Sequence, residues 1–454
     1  MNDTSNTTGA ATAAPPLPSL AAATEVWLRI GCLSFGGPAG QIALMHREVV
    51  DQRRWISDQR FLHALNFCSL LPGPEAQQLA TYLGWLLHGA RGGLIAGLLF
   101  IVPGAVVMLA LSVVFILAGE VPAVAAVFFG LKCAVLVIVF EALLRVARRA
   151  LHGRIAWLTG AAAFAALFCF AVPFPAVVLG AALLGAVVPR WFAAGGHGNG
   201  GAGPPALLDT VMAADPGHAG RLARSARRAA LIAIVAWGLP VVVLLPGGGV
   251  HADIAWFFSK MAVVTFGGAY AVLTYVAQQA VEHYGWLSAS EMLTGLGLAE
   301  TTPGPLILVL QFVGFLAGHG AGGGIAGGII GTALTLWVTF APCFAFVFLG
   351  APAVERLREN RALSGALAAI TAAVVGVIAN LALWFGLRVL FADVRAVSWG
   401  VLSIDLPLPA SLDAAALLVV LIAADCLFGL RFGVIRTLAI CAAAGVALNL
   451  VMGA

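Results

Sequence analysis

Charge is what this sequence has least of. Only 10% of its 454 residues are Asp, Glu, Lys or Arg, where soluble domains carry about a quarter, so water is excluded as its main solvent. Lysine occurs twice, at Lys132 and Lys260. The basic residues form no stripe, which excludes a nucleic-acid partner. Seven cysteines are present (Cys32, Cys68, Cys133, Cys169, Cys343, Cys426, Cys441) without a C-x-x-C or a Cys/His pair at ligand spacing, so they read as small packing residues. The histidines are scattered, and no metal or cofactor is expected. No G-x-x-x-x-G-K-[S/T] occurs, which excludes an ATP-driven pump of that kind. No His, Asp and Cys converge at catalytic spacing, so an enzyme or a scaffold working through its linker is the weaker reading. Residues 1–20 lack the basic and apolar regions of a cleaved signal peptide and read as a disordered tail. The first membrane helix then directs insertion itself.

What is present is hydrocarbon. Hydrophobic residues make up 61% and mean hydropathy is +1.01. Apolar windows of about 20 residues or more, enough to cross a bilayer, recur at 24–45, 94–118, 123–144, 155–189, 229–246, 252–277, 325–350, 362–387 and 413–453. Two of them hold a pair of helices, and shorter hairpins lie around Pro72 and Pro303. Backbone groups in hydrocarbon have to be satisfied internally, so helices are expected throughout. The reading is a multi-pass, all-α polytopic membrane protein.

The chain repeats itself at a constant offset of 231 residues. Phe35-Gly36-Gly37 falls on Phe266-Gly267-Gly268, Trp55 and Ser57 on Trp286 and Ser288, and Pro72-Gly73-Pro74 on Pro303-Gly304-Pro305. Gly89, Gly92 and Gly93 fall on Gly320, Gly323 and Gly324. Two homologous units follow, 21–189 and 229–454, joined by a Gly/Pro/Arg-rich linker at 190–228 whose Arg221, Arg224, Arg227 and Arg228 face the cytoplasm.

Basic residues are distributed oppositely in the two copies. The loop 46–60 holds Arg47, Arg53, Arg54 and Arg60 while 277–291 has none; 118–123 has none while 351–361 holds Arg356, Arg358 and Arg361. Under the positive-inside rule the units are inverted-topology repeats. Counting windows gives three crossings between 144 and 252, where an inverted arrangement requires an even number.

Each P-G-P separates apolar stretches too short to span the core comfortably, so broken, re-entrant helices are expected there. Breaks at matching places in two repeats point to a substrate site. The half-helices after Pro74 and Pro305 present free N–H groups suited to an oxyanion. Arg29 and Lys260 share a pattern, [R/K]-x(4)-[S/T]-F-G-G, completed by Ser34 and Thr265. A cation within a membrane segment costs about 2.5–3.5 kcal/mol and normally meets a partner or a pathway; the alternative is that both residues snorkel from helix ends. Glu75, Gln77 and Gln78 flank the first break, and Glu300, Thr301, Thr302 and Gln311 the second. The glutamates are candidates for proton relay or for pairing with Arg29 or Lys260, and the amides for anion binding or interhelical hydrogen bonds. Lys132 is a weaker candidate, since Glu141 lies nine residues away, off its helix face.

SFGGPAGQIALMHREVVDQRRWISDQRF with LLPGPEAQQLATYLGW, and TFGGAYAVLTYVAQQAVEHYGWLSASEM with GLAETTPGPLILVLQFVGFLAG, resemble the chromate ion transporter family in its long, two-domain form. Glu75 departs from the asparagine that often follows the family's first P-G-P. The resemblance implies a secondary transporter exporting chromate across the bacterial inner membrane and conferring chromate resistance. Sulfate or another oxyanion is the alternative substrate. The resemblance is compatible with a homo-oligomer. The substrate would be held by the two F-G-G turns, the two breaks and the polar residues beside them.

Overall fold

The computed structural model describes residues 17–35, 37–192, 206–215, 218–266, 269–353, 361–399 and 402–452. Gly36, Gly267 and Gly268 lie outside them, as do Arg356 and Arg358.

In the first copy α1 (Leu20–Leu33) and α2 (Gly37–His46) flank the F-G-G, and α3 (Asp58–Cys68) and α4 (Glu75–Ala118) flank the P-G-P. Then come α5 (Pro122–Ala150) and the short pair α6 (Arg154–Phe170) and α7 (Phe174–Val187). In the linker lies α8 (Leu207–Ala214), and α9 (His218–Leu244) runs from the linker into the second unit. The second copy runs α10 (Val250–Val264), α11 (Ala269–Gln278), α12 (Ala289–Thr301), α13 (Val309–Gly318), α14 (Gly324–Gly350), α15 (Arg361–Leu390), α16 (Ala414–Ala424) and α17 (Val434–Met452). Between α15 and α16 stands an antiparallel hairpin, β1 (Val394–Trp399) with β2 (Leu402–Pro407), which the apolar pattern does not foreshadow. Six helical stretches among the described residues are long and apolar enough to cross a membrane. The chain is therefore an all-α polytopic membrane protein. Along α9, Leu231, Ile232, Val235, Leu239 and Val242 stand exposed, a face that only hydrocarbon accommodates without penalty.

Windows 24–45 and 252–277, expected to cross once each, instead fold back at the F-G-G. Gly37 has φ +71° and Ser34 leaves the helical region, so α1 cannot run on into α2. Arg29 comes within 3.8 Å of Glu48, two positions that a straight helix would hold roughly 28 Å apart. In the second copy Phe257 packs its ring 5.5 Å from that of Tyr275 and 5.9 Å from that of Trp286, across the same turn. The P-G-P breaks also reverse the chain: Phe67 meets Tyr82 at 5.1 Å, and Phe312 fills the space a side chain at Gly295 would need. A further reversal at His88–Gly89 divides α4, and residues 319–324 do the same before α14.

The two copies exchange their ends. Helices α6 and α7 of the first copy pack on α15 of the second, while α16 and α17 of the second pack on α5 of the first. Small residues permit this closeness, as a Cβ at Gly185 would strike the Gly365 backbone and one at Gly130 the Cys441 carbonyl.

Part of the stretch expected to be linker is folded. The Leu207 and Leu208 amides donate to the Arg54 and Trp55 carbonyls at 3.1 and 3.0 Å, and Arg60 Nε donates to Asp209 Oδ1 at 2.8 Å. Burial pushes the Asp209 carboxyl up, but hydrogen bonds from Ser57, Arg60 and the Ala206 amide outweigh it and hold the group below its ordinary value. Residues 218–228 continue into α9.

Candidate functional site

The four hairpin tips meet inside the protein, and they meet crosswise. The Gly73 N–H of the first break donates to the Thr265 carbonyl of the second copy at 2.8 Å, and the Gly304 N–H of the second break donates to the Ser34 carbonyl of the first at 2.8 Å. Each P-G-P thus closes on the residue before the other copy's F-G-G. Gly73 and Gly304 hold φ of +123° and +94°, which points their N–H groups across the gap and which other residues rarely adopt. Packing is close as well: a Cβ at Gly104 on α4 would overlap the Pro303 carbonyl.

The hydroxyls singled out beside these turns are engaged locally. Ser34 Oγ donates to the Ile30 carbonyl and Thr265 Oγ1 to that of Met261, both at 2.6 Å; Thr301 and Thr302 both donate to the Leu298 carbonyl at 2.7 Å. They finish the carbonyl ends of their helices, where i→i−4 partners run out. Phe35 and Phe266 are half-buried at their turns, and Pro72, Pro74, Pro303 and Pro305 frame the breaks.

The amides brace the tips. Gln78 Nε2 donates to the Pro72 carbonyl at 2.7 Å, Gln311 Nε2 to that of Ala105 at 2.8 Å, and Gln77 Nε2 to Thr81 Oγ1 at 3.0 Å. Gln41, which sequence reasoning passed over, donates to the Gly304 carbonyl at 2.6 Å. The backbone acceptors of Gln41, Gln78 and Gln311 fix which end of each amide carries the nitrogen. The side-chain oxygens of Gln41, Gln77, Gln78 and Gln311 are buried and meet no protein donor, so the amides offer acceptors. No side chain caps the helix that starts after Pro74, so the backbone N–H groups of its first turn have no side-chain acceptor there.

Charged groups sit around this crossing. Glu300, 6% exposed, accepts a 2.5 Å hydrogen bond from Tyr270 Oη. Glu141 and Arg145 form an i,i+4 pair on α5 whose charges reach Tyr270 and Glu300. Glu75, half-buried in the first turn of α4, lies in the field of Arg149. Arg29 and Lys260 are not drawn in. Arg29 has a 58% exposed side chain and pairs with Glu48, itself held by Arg53, while exposed Lys260 lies 5.2 Å from the Trp256 ring centroid. The helices place both residues on outer faces, about five positions before the turn that buries Ser34 and Thr265. Lys132 sits 5.2 Å from the Phe129 ring, away from Glu141. The sequence did carry a signal for Arg145, since its distance from Glu141 is a helix-face spacing. Tyr270 carried none. Among the described residues no group of His, Cys, Asp and Glu could hold a metal.

The family described as "Chromate transporter" matches residues 21–186 and 252–447, one segment in each copy. A "Chromate transport protein" of Pseudomonas aeruginosa is 35% identical over 371 residues, covering 81% of each chain. Another of the same description, from Cupriavidus metallidurans, is 25% identical over 78% of this chain and 79% of its own. The "Uncharacterized transporter YwrB" of Bacillus subtilis is 39% identical over 88 residues, 19% of this chain and 45% of its own. No solved structure matches. Both copies of the repeat, with their F-G-G and P-G-P tips, fall within the matched segments, and the chain belongs to the chromate transporter family.

Proposed function

We propose that this protein is a secondary transporter that exports chromate across the bacterial inner membrane and thereby confers chromate resistance. The observation that carries the reading is the reciprocal crossing, in which Gly73 and Gly304 bind the backbone of the opposite copy. Two broken helices meeting at one buried place is how carriers present backbone donors to an anion at membrane depth. The substrate class comes from the relatives, two of which are described as chromate transport proteins.

In this reading the units 21–189 and 229–454 are inserted in opposite directions and their hairpins are re-entrant from opposite faces. The fold-back at each F-G-G supports it. With α1 and α2 returning to the side they left, the loop 46–60 and its counterpart 277–291 are separated by an odd number of crossings, as their opposite charge content requires. The driving force is electrical: moving a dianion out of a negative interior gains roughly 4.6 kcal/mol per 100 mV. Sulfate, also a tetrahedral dianion, competes at the same site.

Everted vesicles and proteoliposomes test this with labelled chromate and labelled sulfate under an imposed potential, with and without a pH gradient. The expected result is chromate flux that rises with potential and is inhibited by sulfate. Potential-driven sulfate flux with no chromate flux would reassign the substrate, and absence of both would sink the carrier reading.

A further inference from the structure

A dianion needs compensating positive charge, and neither Arg29 nor Lys260 stands at the crossing. The last turns of α5 carry three arginines, Arg145, Arg148 and Arg149. Arg145 Nη2 donates to both carboxylate oxygens of Glu141, at 2.6 Å to one of them. Among the described residues no acceptor meets Arg145 Nε or Nη1, so the donors on those nitrogens remain for another oxygen ligand. The pair is only partly buried, its side chains 39% and 27% exposed, so protein packing leaves space beside it.

Position adds to this. Helix α5 packs directly on α12, where Gly297 meets Leu131 and Val135, and the field of Arg145 reaches Tyr270 and Glu300 beside the second break. One turn further along, the field of Arg149 reaches Glu75 beside the first. Arg145 and Arg149, four residues apart on one helix, thus act electrostatically on acidic groups beside the second and the first break respectively. The same end of α5 carries Arg148, and Arg154 follows it, so it faces the cytoplasm by the distribution of basic residues.

We infer that Arg145 is the cation that captures the oxyanion on the cytoplasmic side, seconded by Arg149, and that Glu141 occupies Arg145 until a tetrahedral dianion displaces it. This rests on the carrier reading above. A carboxylate gives the guanidinium one negative charge; chromate or sulfate gives it two, with oxygens spaced for the same planar fork. Glu141 then sets the threshold for capture by competing with the substrate.

Initial rates against chromate, and separately against sulfate, in proteoliposomes of the full chain test it. Arg145→Gln is expected to raise KM roughly tenfold or more with kcat little changed, and Arg145→Lys to fall between. Glu141→Gln is expected to lower KM by about threefold or more, because the internal competitor is gone; loss of a merely structural ion pair would not tighten substrate binding. Wild-type KM in Arg145→Gln, or an unchanged or raised KM in Glu141→Gln, overturns the assignment. Should Arg145→Gln fail to fold, Glu141→Gln decides alone. If the wild-type protein moves neither ion, the carrier reading fails and takes this one with it; if it moves either, the two are judged separately.

Discussion

Replacing Gly304 with alanine tests the crossing at one atom. Gly304 holds φ +94°, donates its N–H to Ser34 and accepts from Gln41 at its carbonyl. A methyl group there would lie 3.2 Å from the Phe100 carbonyl oxygen and 3.4 Å from Leu308 Cδ1, tight but not impossible. Two responses are open. If the backbone stays, alanine in this region carries strain of about 1–3 kcal/mol. If it relaxes to an ordinary φ, the peptide turns and both hydrogen bonds are lost, at roughly 0.5–1.5 kcal/mol each. Either way the loss is about 1–3 kcal/mol, centred on the place where substrate is proposed to pass. Thermal unfolding of detergent-purified protein should shift down by several degrees, and flux should fall further than stability does. Gly320→Ala, at a position with open space around it, is the control and should be silent. A Gly304→Ala protein that melts and transports like the wild type would refute the crossing as described.

Other outcomes follow from the same geometry. Gln41→Leu leaves the Gly304 carbonyl buried without its side-chain donor and should cost about 1–3 kcal/mol, read in the same melting assay. Gly185→Val drives a side chain into the Gly365 backbone and should abolish monodisperse protein in size-exclusion chromatography, while Gly180→Ala, with nothing near it, should not. Asp209 is held below its ordinary value, so its contribution to docking α8 is complete above about pH 4 and is lost as pH falls through the lower folded value. Limited proteolysis of the α8 segment should therefore accelerate only under strongly acidic conditions, and Asp209→Asn should show the acceleration already at neutral pH.

Some of this architecture is legible in the residues. Doubling, the breaks at Pro72 and Pro303 and the helical class all follow from local chemistry, because proline and glycine act on their own backbone. The paired helices of 155–189 and 413–453 also follow from window length. The reversal at Phe35 was harder to read, since its apolar flanks look continuous and only Gly37's positive φ and the Arg29–Glu48 contact disclose it. Arg29 and Lys260 keep a fixed distance from the F-G-G along the chain, while the helix turns them outward, and no spacing rule discloses that direction. Gln41 and Tyr270 acquire their meaning from Gly304 and Glu300, partners far away in sequence, and no periodicity encodes such a pairing.

The exchanged ends limit how this molecule can move. Were the two copies to swing apart like jaws, α6 and α7 would be pulled from α15 and α16 and α17 from α5 in the same stroke, tearing open contacts as close as Gly185 on Gly365. Helices α5 and α15 with their borrowed hairpins are therefore tied together as one packed body. Movement in such a carrier would then fall to the short helices at the tips, whose reversals hold glycine at positive φ. In a carrier of the kind proposed, opening to one side and then the other would be a shift of those tips, with the Gly73 and Gly304 hydrogen bonds the first to exchange.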